Sequence, residues 1–145
     1  MKVVIQRSLD SSVSVNNKKV GIDKGLVVLV GFTNSDTIKD IEYLVQKIIN
    51  LRIFDDENHI MNKSILDIKG SILSISQFTL YAELKGRRPS YKSAMNRHDA
   101  LILYNLFNEK LSEYVNVKTG VFGGDMKVNI VNDGPVTIIL EKYVK

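Results

Sequence analysis

The chain has 145 residues, of which 44% are hydrophobic and 25% are charged, which is ordinary for one globular domain. It contains no cysteine, and this excludes disulfides, thiol nucleophiles and cysteine-based metal sites. The opening MKVVIQRSLD has too short an apolar run for a signal peptide, and no apolar run approaches the ~18 residues of a membrane span. We therefore expect a single cytoplasmic domain over residues 1–145 with no membrane contact.

The net charge of +4 is concentrated in one segment, KGRRPSYKSAMNR. Without its five cations the chain carries 15 positive and 16 negative charges, a balance of −1. Clustered Lys and Arg bind phosphates by releasing counterions, whereas a solvated loop needs no partner. The pattern favours a polyanion-binding surface and a solvated loop about equally. The five cations are Lys85, Arg87, Arg88, Lys92 and Arg97.

The first elements along the chain are predicted strands. KVVIQR (2–7) and SSVSVN (11–16) are rich in β-branched residues and partly alternating, and Asn16-Asn17 predicts a tight turn after them. LVVLVGF (26–32) is a continuous apolar run of strand length. Such a run predicts a strand that is buried on both faces.

A helix is predicted next, beginning near Ser35 and Asp36. LRIF (51–54) and SILSISQFTLY (71–81) then predict two strands, separated by a polar loop, DDENH. The apolar stripe that defines the helix comprises Ile38, Ile41, Leu44, Val45, Ile48 and Ile49.

A second helix is predicted to open at Asn96, with Asp99 three residues later. Its stripe comprises Ala100, Leu103, Tyr104, Phe107, Leu111 and Tyr114. After a glycine-rich bend, 126–132 and 136–144 predict two closing strands. Strands therefore outnumber helices without a regular βαβ alternation. We predict an α+β domain with a mainly antiparallel sheet that curls toward a barrel, and two amphipathic helices.

Familiar catalytic motifs are absent from the sequence. There is no phosphate-binding G-x-x-x-x-G-K-[ST], no G-x-G-x-x-G, no G-x-S-x-G and no H-E-x-x-H. His59 and His98 are the only histidines, and each lies in a polar context typical of the surface. We expect neither a metal nor another cofactor.

SQFTL is polar for a predicted core strand. Strand alternation would put Ser76, Phe78 and Leu80 on one face, and Gln77, Thr79 and Tyr81 on the other. These polar groups either face solvent or present hydroxyls and backbone N–H groups to a ligand. A nucleophilic Thr79 needs a neighbouring base, and the motif has none. A site that orients a ligand with N–H donors fits these residues better.

NDGPVT (132–137) carries a strong hairpin-turn signal, because Asp-Gly stands between two alternating apolar runs. We expect the chain to reverse direction there. Pro135 is unusual in such a place, since it has no N–H for a partner strand. Gly134 has no Cβ, so its backbone can approach a ligand closely.

Three motifs in order, SQFTLYAELKGRRPSY, TGVFGGDM and NDGPVT, resemble the D-aminoacyl-tRNA deacylase family. VVIQR and NLRIFDDENHIMNKSILDI look like the same family, so the similarity covers essentially the whole chain. The resemblance implies a cytoplasmic homodimer that hydrolyses the ester between a D-amino acid and tRNA. It also implies that glycyl-tRNA is hydrolysed, and that the terminal ribose 2′-hydroxyl of the tRNA assists.

The resemblance also implies roles for individual residues. Gly134-Pro135 would be a cis peptide that enters the partner subunit's pocket and rejects L-amino acids. Arg7 would help to hold that element. Lining the pocket would be Ser76, Gln77, Phe78 and Thr79 of the other chain, with Met126 and Phe122 beside them. The alternative is a non-catalytic RNA-binding protein that uses the basic segment and the Tyr81 and Tyr91 side chains.

Overall fold

The computed structural model describes residues 1–142. Its strands are β1 Lys2–Val15, β2 Lys18–Ile22, β3 Gly25–Gly31, β4 Phe54–Asp55, β5 Met61–Lys63, β6 Ser71–Ser76, β7 Asn116–Thr119 and β8 Lys127–Glu141. Its helices are α1 Ile38–Asn50, α2 Ile65–Ile68 and α3 Arg97–Ser112, with a 3-10 turn at Phe78–Tyr81. None of these helices is both long enough and apolar enough to cross a membrane.

One six-stranded mixed sheet forms the centre of the domain. Strands run in the order β2-β1-β3-β6-β7, and β8 pairs with the other side of β1. β1 is antiparallel to β2, β3 and β8, whereas β6 is parallel to both β3 and β7. Residues 2–8 of β1 pair with β3 and residues 11–15 with β2, so the sheet curls into a nearly closed barrel. The predicted α+β fold is confirmed.

The core lies on both faces of β3. Leu26, Val28 and Val30 are buried in the large cluster that also holds the apolar sides of α1 and α3. The intervening Val27 is buried on the opposite face, in a smaller cluster inside the curled sheet. An unbroken apolar strand is required where both faces are covered, so the prediction of two-sided burial is confirmed.

Both predicted helices are present and amphipathic. In α1 the buried stripe is Ile41, Leu44, Val45, Ile48 and Ile49; in α3 it is Ala100, Tyr104, Phe107 and Leu111. Asn96 caps α3, because its side-chain oxygen accepts the Asp99 N–H at 3.0 Å. Two expected stripe members differ: Ile38 is exposed in the first turn of α1, and Tyr114 lies exposed beyond the end of α3.

Several predicted strand boundaries are wrong. The two expected strands at 2–7 and 11–16 are one strand, β1, because a bulge absorbs the polar residues between them. Of LRIF only Phe54 is in a strand, and it belongs to a small separate ribbon with β5. The start of α1 is capped at Thr37, not at Ser35 or Asp36.

The predicted reversal at NDGPVT is also wrong. β8 passes through this segment as one strand that pairs with β1 on both sides of it. Asn132 pairs with Ser8 and Thr137 with Gln6, so residues 133–136 lie opposite Arg7 alone. We call these four residues the Gly-Pro bulge. Strand pairing continues to Glu141, and residues 143–144 of the expected strand lie outside the described residues.

Candidate active site

A cavity of about 640 Å³ opens where β3 and β6 end side by side. Parallel strands bring their carboxyl ends to one edge of the sheet, which is where ligands bind in many folds with parallel strands. The loops that precede α3 and β8 complete the walls. Seven of the candidate site residues from the sequence line this cavity together: Ser76, Gln77, Phe78, Tyr91, Arg97, Phe122 and Met126.

The SQFT motif forms a turn instead of continuing the strand. β6 ends at Ser76, and the Gln77 N–H donates to the Val30 carbonyl at 2.8 Å. The Leu80 N–H then donates back to the Gln77 carbonyl at 3.2 Å, which starts the 3-10 turn. The two alternating faces predicted for 76–81 are therefore wrong, and residues 76–78 face the cavity consecutively.

The close packing of this turn depends on Gly31. A Cβ atom at that position would lie 2.8 Å from the Gln77 carbonyl oxygen and 3.2 Å from the Leu80 Cβ. The turn could not sit against the end of β3 if residue 31 had a side chain. Phe78 is then left 55% exposed at the cavity rim, with its ring edge-on to that of Tyr91 at 4.9 Å between centroids.

Thr79 does not line the cavity in this chain. Its hydroxyl oxygen accepts a hydrogen bond from the Gln77 side-chain amide. Among the described residues that line the cavity there is no histidine, and the only acid is Asp125. Within residues 1–142, no three His, Asp or Glu side chains gather in an arrangement that could hold a metal ion. The cavity can therefore orient a ligand, but it places no base beside Thr79.

Aromatic and sulfur contacts hold the opposite wall. Phe122 lies between the Tyr104 ring, at 5.6 Å, and the Arg97 guanidinium, at 6.0 Å. The Tyr104 hydroxyl donates to the Ser74 carbonyl at 2.8 Å, and burial raises the pKa of Tyr104, so the donor stays protonated. Met126 is held because its Sδ accepts the Val121 N–H at 3.4 Å.

The centre of the Gly-Pro bulge is exposed, whereas its flanks are held by the domain, since Val136 packs against the large core cluster. The Gly134–Pro135 peptide bond is cis, and both residues are exposed. Arg7, only 8% exposed, donates from Nε to the Asp133 carbonyl at 2.9 Å and from its terminal nitrogen to the Ile53 carbonyl at 2.7 Å. Arg7 also forms ion pairs with the Asp55 carboxylate at 3.4 Å and the Asp133 carboxylate at 3.5 Å. These bonds tie the base of the bulge to the domain.

The bulge does not line the cavity of its own chain. Val128, near the start of β8, is the last residue of that strand at the cavity. The bulge begins at Asp133, five residues later, which is roughly 16 Å along an extended strand. The two motifs that the resemblance places in one pocket are therefore apart within a single chain.

The five cations of the basic segment have different surroundings. Lys92 forms an ion pair with Glu83 at 3.5 Å, and the hydrogen bond from Ser93, with the nearby Lys92, lowers the pKa of Glu83. Arg97 lines the cavity. All five cations are exposed, and the other three lie on the 84–92 loop: Lys85, Arg87 and Arg88.

Several lining residues gave no signal in the sequence. Phe32 and Met95 read as ordinary core residues, although the Met95 N–H donates to the Phe32 carbonyl at 2.9 Å and joins two cavity walls. Asp125 could have been found, because it follows two glycines in a bend. Tyr91 was expected at a contact surface only in the RNA-binding alternative. The remaining lining residues were not expected at a site: Gly31, Ile75, Ala94, Asn96, Ala100, Gly123, Gly124 and Val128.

Comparison with known proteins shows the family of the chain. A family model described as D-Tyr-tRNA(Tyr) deacylase matches residues 4–141. The chain belongs to this family of enzymes. The resemblance drawn from the three motifs is confirmed, and so is the prediction of an enzyme of the deacylase class.

Relatives and solved structures match over nearly the full length. A D-aminoacyl-tRNA deacylase of Clostridium botulinum (strain Langeland / NCTC 10281 / Type F) is 56% identical over 97% of both chains. A structure of a c-Myc DNA unwinding element binding protein superimposes with a TM-score of 0.94 and 43% identity, covering 99% of this chain and 100% of the other. A probable eukaryotic D-amino acid tRNA deacylase, 19% identical, has a TM-score of 0.84 over 96% of this chain and 97% of the other, and shares the fold.

Proposed function

We propose that the chain hydrolyses the ester that links a D-amino acid to tRNA, and that it does so in the cytoplasm as a homodimer. Water adds to the ester carbonyl, the acyl–oxygen bond breaks, and the ribose oxygen leaves with a proton. The observation that carries the proposal is the gathering of two separate family motifs, SQFT and VFGGDM, around one cavity of about 640 Å³. The alternative, a non-catalytic RNA-binding protein, would bind RNA through its surface and does not explain this cavity.

The homodimer is supported by the position of the Gly-Pro bulge. Gly134 and Pro135 at its centre are exposed and lie outside the cavity of their own chain, in a strand that pairs only with β1 among the described residues. β8 therefore offers a free strand edge, and exposed apolar side chains surround it. Leu9 and Val131 are cross-strand partners and exposed, and Ile139 is 65% exposed. A second copy would cover this surface and receive the bulge in its cavity.

The bulge, so placed, would act as the filter between enantiomers. D- and L-amino acids differ only in exchanging the hydrogen and the side chain on Cα. A rigid backbone that faces the α-amino group leaves one direction open for a side chain, and an L side chain would collide with it. Glycine has no side chain to collide, so glycyl-tRNA would be hydrolysed as well. Rejection by main chain is firm because, unlike a side chain, it has no rotamer by which to move aside.

Hydrolysis then depends on orientation and on hydrogen-bond donors. Ser76, Gln77 and Phe78 line the cavity, where hydrogen-bond donors of this turn would hold the ester carbonyl. The 2′-hydroxyl of the terminal ribose would assist the attack of water, which accounts for a cavity that has no histidine among its described lining residues. An aminoacyl ester is already activated, so modest assistance is sufficient.

The direct test compares three substrates: D-tyrosyl-tRNA, L-tyrosyl-tRNA and glycyl-tRNA. We expect rapid loss of the D-tyrosyl and glycyl esters and survival of the L-tyrosyl ester at the rate of spontaneous hydrolysis. Equal rates for the two tyrosyl enantiomers would refute the filter. No release from the D-ester would refute the proposed function.

Thr79→Ala should leave substantial D-tyrosyl-tRNA hydrolysis, within about tenfold of wild type, because Thr79 loses only its hydrogen bond with Gln77. The measurement is single-turnover deacylation at saturating enzyme. Thr79→Ser, which keeps the hydroxyl, is the matched control. If Thr79→Ala abolishes the chemical step while Thr79→Ser and tRNA binding are normal, Thr79 is a nucleophile and hydrolysis does not rely on the tRNA hydroxyl.

Replacing Arg87 and Arg88 together by Ala should weaken tRNA binding and flatten its dependence on salt. Both side chains are exposed cations in the 84–92 loop, which also contains the cavity residue Tyr91. Each lost contact with a duplex phosphate lowers the slope of log affinity against log salt by roughly 0.9. Lys92→Ala should change the slope less, since Glu83 already pairs with Lys92. An unchanged slope in the double variant would show that the loop is merely solvated.

A further inference from the structure

Side-chain hydrogen bonds connect the two ends of the Gly-Pro bulge. Asn132 and Thr137 are the last two β8 residues that keep their pairing with β1, on either side of the bulge. The Asn132 Oδ1 accepts the Val136 N–H at 2.8 Å, and its Nδ2 donates to the Thr137 Oγ1 at 2.9 Å. Gln6, on β1, donates to the same hydroxyl oxygen at 3.2 Å. One carboxamide therefore spans the bulge and connects it to the neighbouring strand.

These bonds complete the support that Arg7 begins. Arg7 holds the Asp133 carbonyl, on the residue before Gly134. Pro135 has no N–H, so the first backbone donor after it belongs to Val136, and Asn132 holds that donor. The Gly134–Pro135 pair is thus fixed at both flanks. Without the Asn132 side chain, the Val136 N–H would lose this hydrogen bond, and only the Asp133 side of the pair would stay fixed by a side chain.

We propose that Asn132 is a positioning residue for D-over-L selection, acting through Val136 and Thr137 to fix the direction of the Gly-Pro bulge. The proposal rests on the proposed function, since the bulge must meet the substrate of a partner subunit. Asn132 does not line the cavity of its own chain, so it acts through the bulge and is not a catalytic residue. Its effect should appear in the ratio of D- to L-ester hydrolysis through a rise of the L-ester rate above that of spontaneous hydrolysis, which a purely structural residue would not produce.

The test replaces Asn132 by residues of similar size. Asn132→Leu removes both hydrogen bonds, and we expect the ratio of kcat/KM for D- and L-tyrosyl-tRNA to fall at least about tenfold, because small misplacements of a positioning element have large effects on rate. Asn132→Asp keeps an acceptor for the Val136 N–H, and the Thr137 hydroxyl can turn to donate to its other oxygen. We expect its ratio to stay within about threefold of wild type.

Thr137 supplies an independent pair of variants. Thr137→Val removes the oxygen that accepts from Asn132 and Gln6 without changing side-chain size, and should lower the ratio in the same direction. Thr137→Ser keeps the oxygen and should preserve the ratio. This pair decides the matter if Asn132→Leu does not fold. Asn105→Leu, the same substitution at an exposed position of α3, is the control for a general effect of an added apolar side chain.

Each outcome separates this proposal from the proposed function. If wild type is active and Asn132→Leu lowers only the melting temperature while the D-to-L ratio is unchanged, Asn132 is merely structural and the proposal is overturned. The same holds for an unchanged ratio in Thr137→Val. If wild type does not hydrolyse the D-ester at all, the proposed function fails and this proposal fails with it.

Discussion

Gly134→Ala is expected to reduce kcat/KM for D-tyrosyl-tRNA about a hundredfold, the loss that follows when a reacting group is displaced by about 1 Å. Residue 134 has φ +136°, a conformation that L-residues rarely adopt. A Cβ there would lie 2.8 Å from the Val136 Cγ2 and 3.1 Å from a terminal nitrogen of Arg7. The bulge must therefore move, and the rate measured with D- and L-esters reports that movement.

Two comparisons make this result specific. Gly86→Ala adds a Cβ that meets nothing within 4 Å, so it should leave the melting temperature unchanged and serves as the folding control. Mixing Gly134→Ala with Gly31→Ala protein tests where the bulge acts, since the second variant disturbs the SQFT turn instead. If the site is shared between subunits, mixed dimers regain one intact site, about a quarter of all sites. No regain of activity would contradict the cross-subunit arrangement, and full activity of Gly134→Ala would contradict the filter itself.

Arg7→Met is expected to lower both stability and D-over-L selection. The substitution removes hydrogen bonds to the Asp133 and Ile53 carbonyls and the pairing with two carboxylates. Those carboxylates are partly exposed, with side chains 46% and 38% accessible, so solvent screening keeps the loss to about 2 kcal/mol. This corresponds to a fall in melting temperature of roughly 4–8 °C for a chain of this size.

The matched control for Arg7 is Arg52→Met. Arg52 also donates to a backbone carbonyl, that of Asn62 at 3.0 Å, but it is exposed and far from the bulge in sequence. We expect its melting temperature to change by less than about 2 °C, as for most surface substitutions. Arg7→Lys keeps the charge but cannot bond two carbonyls at once through a planar fork, so it should resemble Arg7→Met. Normal selection in Arg7→Met would show that the bulge holds its position without this residue.

The helices and the central strand were predictable because their signals are local. Asn96 and Asp99 encode a cap within one turn, and the apolar spacing that follows depends only on 3.6-residue periodicity. Continuous apolar residues in β3 signal two covered faces in the same way. Ile38 was misassigned because a residue in the first turn can match the periodicity and still extend past the edge of the core.

The surroundings of the cations in the basic segment could not be predicted from the sequence. Lys92 contributes a positive charge to the segment, but it forms an ion pair with Glu83, nine residues earlier. The pairing of residues 83 and 90 brings the two side chains together. Arg97 belongs to the same cluster in sequence, but the start of α3 directs it to Phe122 and the cavity. The sequence shows only clustered charge, whereas the folded chain pairs one exposed cation with Glu83 and brings another exposed cation to the cavity.

The sequence alone determined which residues could form the site, since the motif residues Ser76, Gln77, Phe78, Phe122 and Met126 do meet at one cavity. It also marked NDGPVT as a place of unusual backbone, because a glycine with positive φ and a proline without an N–H suit a turn and a bulge equally. Only the tertiary structure decided between these two. The partner strand β1 lies more than a hundred residues away and pairs with β8 on both sides of the segment, so the chain continues and leaves Gly134 and Pro135 exposed. Local chemistry specifies the conformation of such a segment, and long-range strand pairing specifies its direction.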